Sequence, residues 1–221
     1  MILFILGLVI TVVADIYVRS SYSKYKKVKN STGLTGFEVA RKILDKNGLQ
    51  DVHVVETNGE LTDHYDPKRK VVRLSNSIFN GNTIAAASVA AHECGHAIQD
   101  KDNYTFMRIR ASLVPAVNFS SKFGYIVLMI GFLAGSFDLA VLGLGLLILI
   151  LLFQLVTLPV EFDASKRAKV ELDKLNILTK EEIPQSASML RAAAFTYVAS
   201  LVTTLLEILR LALMIFGNRD R

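Results

Sequence analysis

Long apolar runs alternate with charged stretches along this chain. Residues 1–18 carry a single charge, Asp15. Residues 123–137 and 139–158 form a second apolar block, broken at Ser136 and Asp138, and residues 192–217 form a third. The stretch 139–158 is twenty residues long and has Gln154 as its strongly polar member. That meets the length of a bilayer-spanning helix. The stretch 123–137 is short for a span, so it is expected to borrow apolar residues from Leu113 onward, with Lys122 snorkelling. A tight turn at Ser136-Phe137-Asp138 would make the second and third spans a hairpin. The pattern predicts a mostly α, integral membrane protein with about four transmembrane helices. Its parts are an N-terminal span (1–19), a polar region (20–112), a transmembrane hairpin (113–158), a second polar segment (159–191) and a C-terminal apolar helix (192–221).

Within the first polar region the periodicity changes twice. Thr35-Gly36-Phe37-Glu38 reads as a capping box opening a short amphipathic helix, with Val39, Ile43 and Leu44 on one face and an end near Gly48. Residues 52–57, Asn58-Gly59 and residues 60–65 read as a hairpin with a tight turn. After the turn signal Asp66-Pro67, residues 70–74 read as a third strand, giving a small antiparallel sheet. An alanine-rich helical stretch follows from about Thr83 to Gln99, with Asn82 or Thr83 as its N-cap. Farther on, residues 165–175 read as a charged helix. Thr179-Lys180-Glu181-Glu182 is a second capping-box pattern.

Charge sets the orientation. Arg19, Lys24, Lys26, Lys27 and Lys29 directly follow the first run, and Lys166, Arg167 and Lys169 follow the run 139–158. Both groups are expected on the cytoplasmic side. Because its positive charges come after the apolar run, the first segment reads as a span rather than a signal peptide. These flanking residues account for the net charge of +5. No basic patch with a reading element points to nucleic acid. The single cysteine, Cys94, excludes an intrachain disulfide and fits a reducing compartment.

The chemistry-bearing pattern is His92-Glu93-Cys94-Gly95-His96. Residues four apart share a helix face, so both imidazoles reach one metal ion. Glu93 then stands beside that metal as general base, the H-E-x-x-H arrangement of zinc hydrolases. Two of the four histidines are spent here; His53 and His64 lie upstream. A catalytic zinc site usually takes three protein ligands. Glu161, where the run 139–158 ends, is the best third candidate, because a carboxylate beside a span needs a partner or water. The alternative is an ordinary interfacial glutamate. Cys94 points off the metal face and reads as a buried packing residue. Gly95 costs helix stability, roughly 1 kcal/mol against alanine, which suggests a close approach by another helix or by substrate; the alternative is plain tolerance. Glu207 and Arg210 are spaced to pair on one helix face.

Pro159-Val160-Glu161-Phe162-Asp163-Ala164-Ser165 resembles the E-F-x-A-D segment of HtpX-type membrane metallopeptidases. There a glutamate after a transmembrane hairpin completes the zinc site. Nearly the whole chain is similar to the YugP-like neutral zinc metallopeptidases, a bacterial membrane family. That similarity rests mainly on residues 90–99 and 159–168, with 61–75 and 192–199 in support. The resemblance implies a zincin-like helical core and a Zn2+ site of His92, His96 and Glu161, with Glu93 as catalytic base. It also implies a multi-pass protein of the bacterial cell membrane with its active site on the cytoplasmic face. Its partners would be the lipid bilayer and peptide or membrane-protein substrates. Tyr197, His64 and Arg191 are candidates to steady the oxyanion, Tyr197 being favoured; its alternative is an interfacial aromatic. One position departs from the HtpX-type pattern. The final aspartate, a partner for a ligand histidine there, is Ser165 here, and Asp163 is expected to point elsewhere. The rival functions are a non-catalytic membrane scaffold that retains a zinc site and a zinc hydrolase acting on a non-peptide substrate.

Overall fold

A computed structural model describes residues 1–217. The last four positions of the expected segment 192–221 lie outside the described residues. In chain order the elements are α1 (Ile2–Tyr25), α2 (Gly36–Lys46), β1 (His53–Thr57), β2 (His64–Asp66), β3 (Val71–Ser75), α3 (Asn76–Phe79), α4 (Ile84–Lys101), α5 (Thr105–Leu133), α6 (Phe137–Lys174) and α7 (Ile183–Gly217). Four of them, α1, α5, α6 and α7, are long and apolar enough to cross a membrane. The chain divides into two compact units: residues 1–15, 105–159 and from Thr196 onward, and residues 16–104 with 160–195.

In the first unit the borrowed residues are real. α5 starts at Thr105 and is 29 residues long, so residues 123–133 are only its second half. Leu128, Ala140, Leu144, Leu147, Leu211 and Ile215 form its buried cluster. Glycines bring α5 and α6 together: a Cβ on Gly143 would lie 2.6 Å from the backbone nitrogen of Leu128. Without a hydrophobic drive between helices in lipid, such close backbone contact is what holds a hairpin. The turn lies earlier than expected, at residues 134–136, with Gly135 at φ +62°. Phe137 and Asp138 belong to the first turn of α6, where an acidic side chain meets unpaired helix N–H groups. Arg210 Nε donates to Glu207 at 2.8 Å, the expected pair.

The second unit follows its caps. Thr35 accepts the Glu38 N–H, and the Glu38 carboxylate accepts the Thr35 N–H, completing the expected box. α2 buries Val39, Ala40, Ile43 and Leu44, and the chain leaves it through Gly48 at φ +68°. Thr83 Oγ1 accepts the Ala86 N–H at 3.1 Å and so caps α4.

The sheet corrects the expected hairpin. Its order is β1-β3-β2: β1 pairs parallel with β3, and β2 antiparallel with β3. The physical reason lies in β3. Val71, Val72 and Leu74 are all buried, so this strand is apolar on both faces and belongs in the centre. β1 has no fully buried residue and β2 buries only Tyr65, so these strands take the edges. Asn58 and Gly59 form an open bend, with Gly59 at φ +94°, which leads into an irregular loop where Leu61 adopts φ +57° rather than into a second long strand.

Glu182 ties the start of α7 to the loop after α1. Its carboxylate accepts the Thr179 N–H at 2.8 Å and both the N–H and hydroxyl of Ser31 at 2.7 Å. Burial pushes its pKa up, but these donors outweigh burial and hold it below the usual carboxylate value. A lowered folded pKa contributes stability above the unfolded value near 4.3, lost as pH falls through the folded value. Glu182→Gln is therefore expected to cost about 1.5–3 kcal/mol at neutral pH. Thermal melts in detergent should show the gap between variant and parent closing as pH drops below about 4. A gap that stays constant with pH would rule out the charged acceptor as its source.

Candidate metal centre

Three donor atoms converge in the second unit. His92 and His96 stand one turn apart on α4, their rings 4.8 Å centroid to centroid and nearly perpendicular. Glu161, on α6, brings Oε2 to 3.3 Å from His92 Nε2 and 3.7 Å from His96 Nε2. Donors about 2.0–2.1 Å from one tetrahedral ion stand roughly 3.3 Å apart, so this spacing fits a zinc ligand set of two imidazoles and a carboxylate. Among the described residues, these three form a group able to hold a metal, with all ligand atoms within 4.8 Å.

Their surroundings favour positive charge. Burial alone would push the His96 imidazole pKa down. The Glu161 and Glu93 carboxylates beside it outweigh burial, and the shift is upward. A spot that holds a proton more tightly than usual also favours a cation. Glu93 is itself buried, 7% exposed, on the turn of helix that carries the two histidines.

The approach of α6 depends on Gly95. A Cβ there would lie 2.6 Å from the Ala164 carbonyl oxygen, a backbone atom that cannot turn aside. The glycine in the motif is thus a point of close contact between the histidine helix and the glutamate helix. Gly95→Ala should gain about 1 kcal/mol of helix propensity and lose more, about 1–3 kcal/mol, to overpacking. The expected result is a lower melting temperature for the metal-free protein and weaker zinc binding in a chelator competition, because Ala164 lies one turn from Glu161. Equal melts and equal affinity would show that the contact does not hold the ligand helices in register.

Each imidazole is held from behind. Ser165 Oγ lies 3.2 Å from His92 Nδ1, so the serine at the departing position does touch a ligand. Gln99 Oε1 lies 3.0 Å from His96 Nδ1. Gln99 Nε2 donates to the Val160 carbonyl at 2.8 Å and to Asp163 Oδ2 at 2.9 Å. Asp163 pairs with Arg167 at 2.6 Å, and Arg167 pairs with Asp102 at 2.5 Å. Asp163 points away from the metal, as expected, and is linked to the site only through Gln99. Gln99 was missed from the sequence, although three residues after His96 on a helix is a facing position.

The remaining candidates sort by place. His64, in β2, is exposed, and its Nδ1 lies 2.8 Å from the Thr62 carbonyl. Arg191 is exposed on α7. Tyr197, also on α7, is 37% exposed and belongs to the first unit, whereas the three ligands belong to the second. Cys94 is fully buried, with Sγ 3.6 Å from the Ala40 carbonyl, and burial pushes its thiol pKa up. It packs, as expected, and is neither ligand nor nucleophile.

Residues 1–216 match the family described as "Putative neutral zinc metallopeptidase". The chain belongs to this family. It is also 45% identical over 207 residues to the "Putative membrane protease YugP" of Bacillus subtilis (strain 168), covering 94% of this chain and 92% of the relative. No solved structure matches it. Zinc is the metal of the family, and the His92, His96 and Glu161 donors are a set that fits it.

Proposed function

We propose that this family member is a membrane-bound zinc endopeptidase that hydrolyses peptide bonds in membrane or membrane-proximal proteins. The observation that carries the reading is the convergence of His92 Nε2, His96 Nε2 and the Glu161 carboxylate, with Glu93 adjoining His92, in a chain with four membrane-crossing helices. His92, His96 and Glu161 would hold the metal. When bound, zinc supplies Lewis-acid polarisation of a carbonyl and acidifies water. Glu93 takes the proton of the attacking water and passes it to the departing amine nitrogen. The edge strands β1 and β2 offer main-chain groups to an extended substrate segment. The basic residues after α1 and in α6 support a site on the cytoplasmic face.

The test is paired. Metal analysis of the detergent-purified full chain should find about one zinc per protein, the count implied by a single three-ligand site. Reconstituted protein should cleave an unfolded membrane protein in vesicles, stop when zinc is chelated and resume when it is restored. A zinc-loaded protein that leaves every such substrate intact would remove the endopeptidase reading.

A further inference from the structure

We infer that Gln99 is a positioning residue for the metal: it locks His96 into the tautomer that presents Nε2, and Asp163 with Val160 dictate how Gln99 itself is turned. The inference rests on the metal reading above. The Gln99 amide has one end that only donates and one that only accepts. Its Nε2 end lies 2.8 Å from the Val160 carbonyl and 2.9 Å from Asp163 Oδ2. Both are acceptors, and the Asp163 carboxylate is held as one by the Arg167 guanidinium. Turning the amide over would set its carbonyl oxygen against both, at the cost of two buried repulsions. Gln99 Oε1 therefore faces His96, and the ring nitrogen 3.0 Å away must carry the hydrogen. With Nδ1 protonated, the lone pair of neutral His96 is on Nε2, the atom 3.7 Å from Glu161 Oε2.

The same amide does a second task. Val160 directly precedes Glu161, so the bond to its carbonyl holds the backbone that carries the third ligand. Gln99 is fully buried, and one side chain thereby couples the tautomer of one ligand to the position of another. His92 is held differently. The Ser165 hydroxyl beside its Nδ1 rotates and either donates or accepts, so it fixes no tautomer. The two histidines of the motif are thus unequal: His96 is locked, and His92 adapts.

The experiment uses the full chain in detergent, in a His53→Gln, His64→Gln background so that only the two motif histidines give ring signals. Zinc affinity is measured by chelator competition, and the tautomer of each ring by nitrogen-15 NMR. The parent should show His96 with zinc on Nε2 and a slowly exchanging Nδ1–H. Gln99→Leu should weaken zinc by about 10- to 100-fold, the usual effect of losing such a partner, and should speed exchange of the His96 Nδ1–H. Asp163→Asn, which touches none of the three ligands, should move both readouts the same way by a smaller factor. Metal-free melting temperatures separate lost affinity from lost folding; if Gln99→Leu does not fold, Asp163→Asn carries the test. A Gln99→Leu protein with parental affinity and parental exchange overturns the inference and leaves the metal centre standing. So does parental behaviour of Asp163→Asn for the part assigned to Asp163. A parent that takes up no zinc overturns the metal reading itself.

Discussion

Replacing Glu93 by glutamine is expected to lower peptide-bond hydrolysis by about 10²–10⁴-fold, the range for removing a positioned general base. Zinc content should stay at the parental level. Glutamine keeps the size of the side chain and an oxygen acceptor, and Glu93 is not among the three converging donors. It cannot take up the water proton. The two readouts together separate a catalytic site from a structural one. A scaffold that merely stores zinc has no use for the base and should keep its cellular phenotype in this variant. Parental turnover from Glu93→Gln would mean that the proton goes elsewhere, and the assignment of Glu93 would be lost.

Glu161→Ala has the other large expected effect. The carboxylate is 2% exposed and lies within 3.7 Å of both histidine Nε2 atoms. Removing it leaves two donors on one helix. Losing an outer partner of a ligand costs about 10- to 100-fold in affinity, so losing a ligand should exceed about 100-fold. Chelator competition should show this directly, with activity falling in parallel at limiting zinc. His96→Ala should behave alike. Stoichiometric, tightly held zinc in Glu161→Ala would place the third ligand outside the α4–α6 pair.

Much of this was legible along the chain, because the signals are local. The apolar runs, the Thr35 and Thr83 caps and the four-residue spacing of the histidines are each satisfied within a few residues. Gly95 was legible only as an anomaly, a costly residue in a helix. Its reason, the Ala164 carbonyl, lies in another element. Asp163 does point away from the metal, as two residues from Glu161 on a helix predicts, but its link to the site was not legible. The Gln99 amide reaches back to it across the gap between α4 and α6.

The sheet failed for a related reason. Asn58-Gly59 is a strong local turn signal, and the chain does bend there. Which strands then pair is decided by burial: β3 outcompetes a hairpin between β1 and β2 because its apolar residues need cover on both faces.

By itself, then, the sequence determined the long apolar helices, the histidine pair with Glu93 beside it, and the helix caps, since periodicity and capping act over one or two turns. Only the tertiary structure decided the strand order, the approach of Glu161 to the histidines and the hydrogen-bonded chain behind His96. Those depend on groups such as Gln99 and Val160, 61 positions apart, which meet only when buried donors must find acceptors in a packed core.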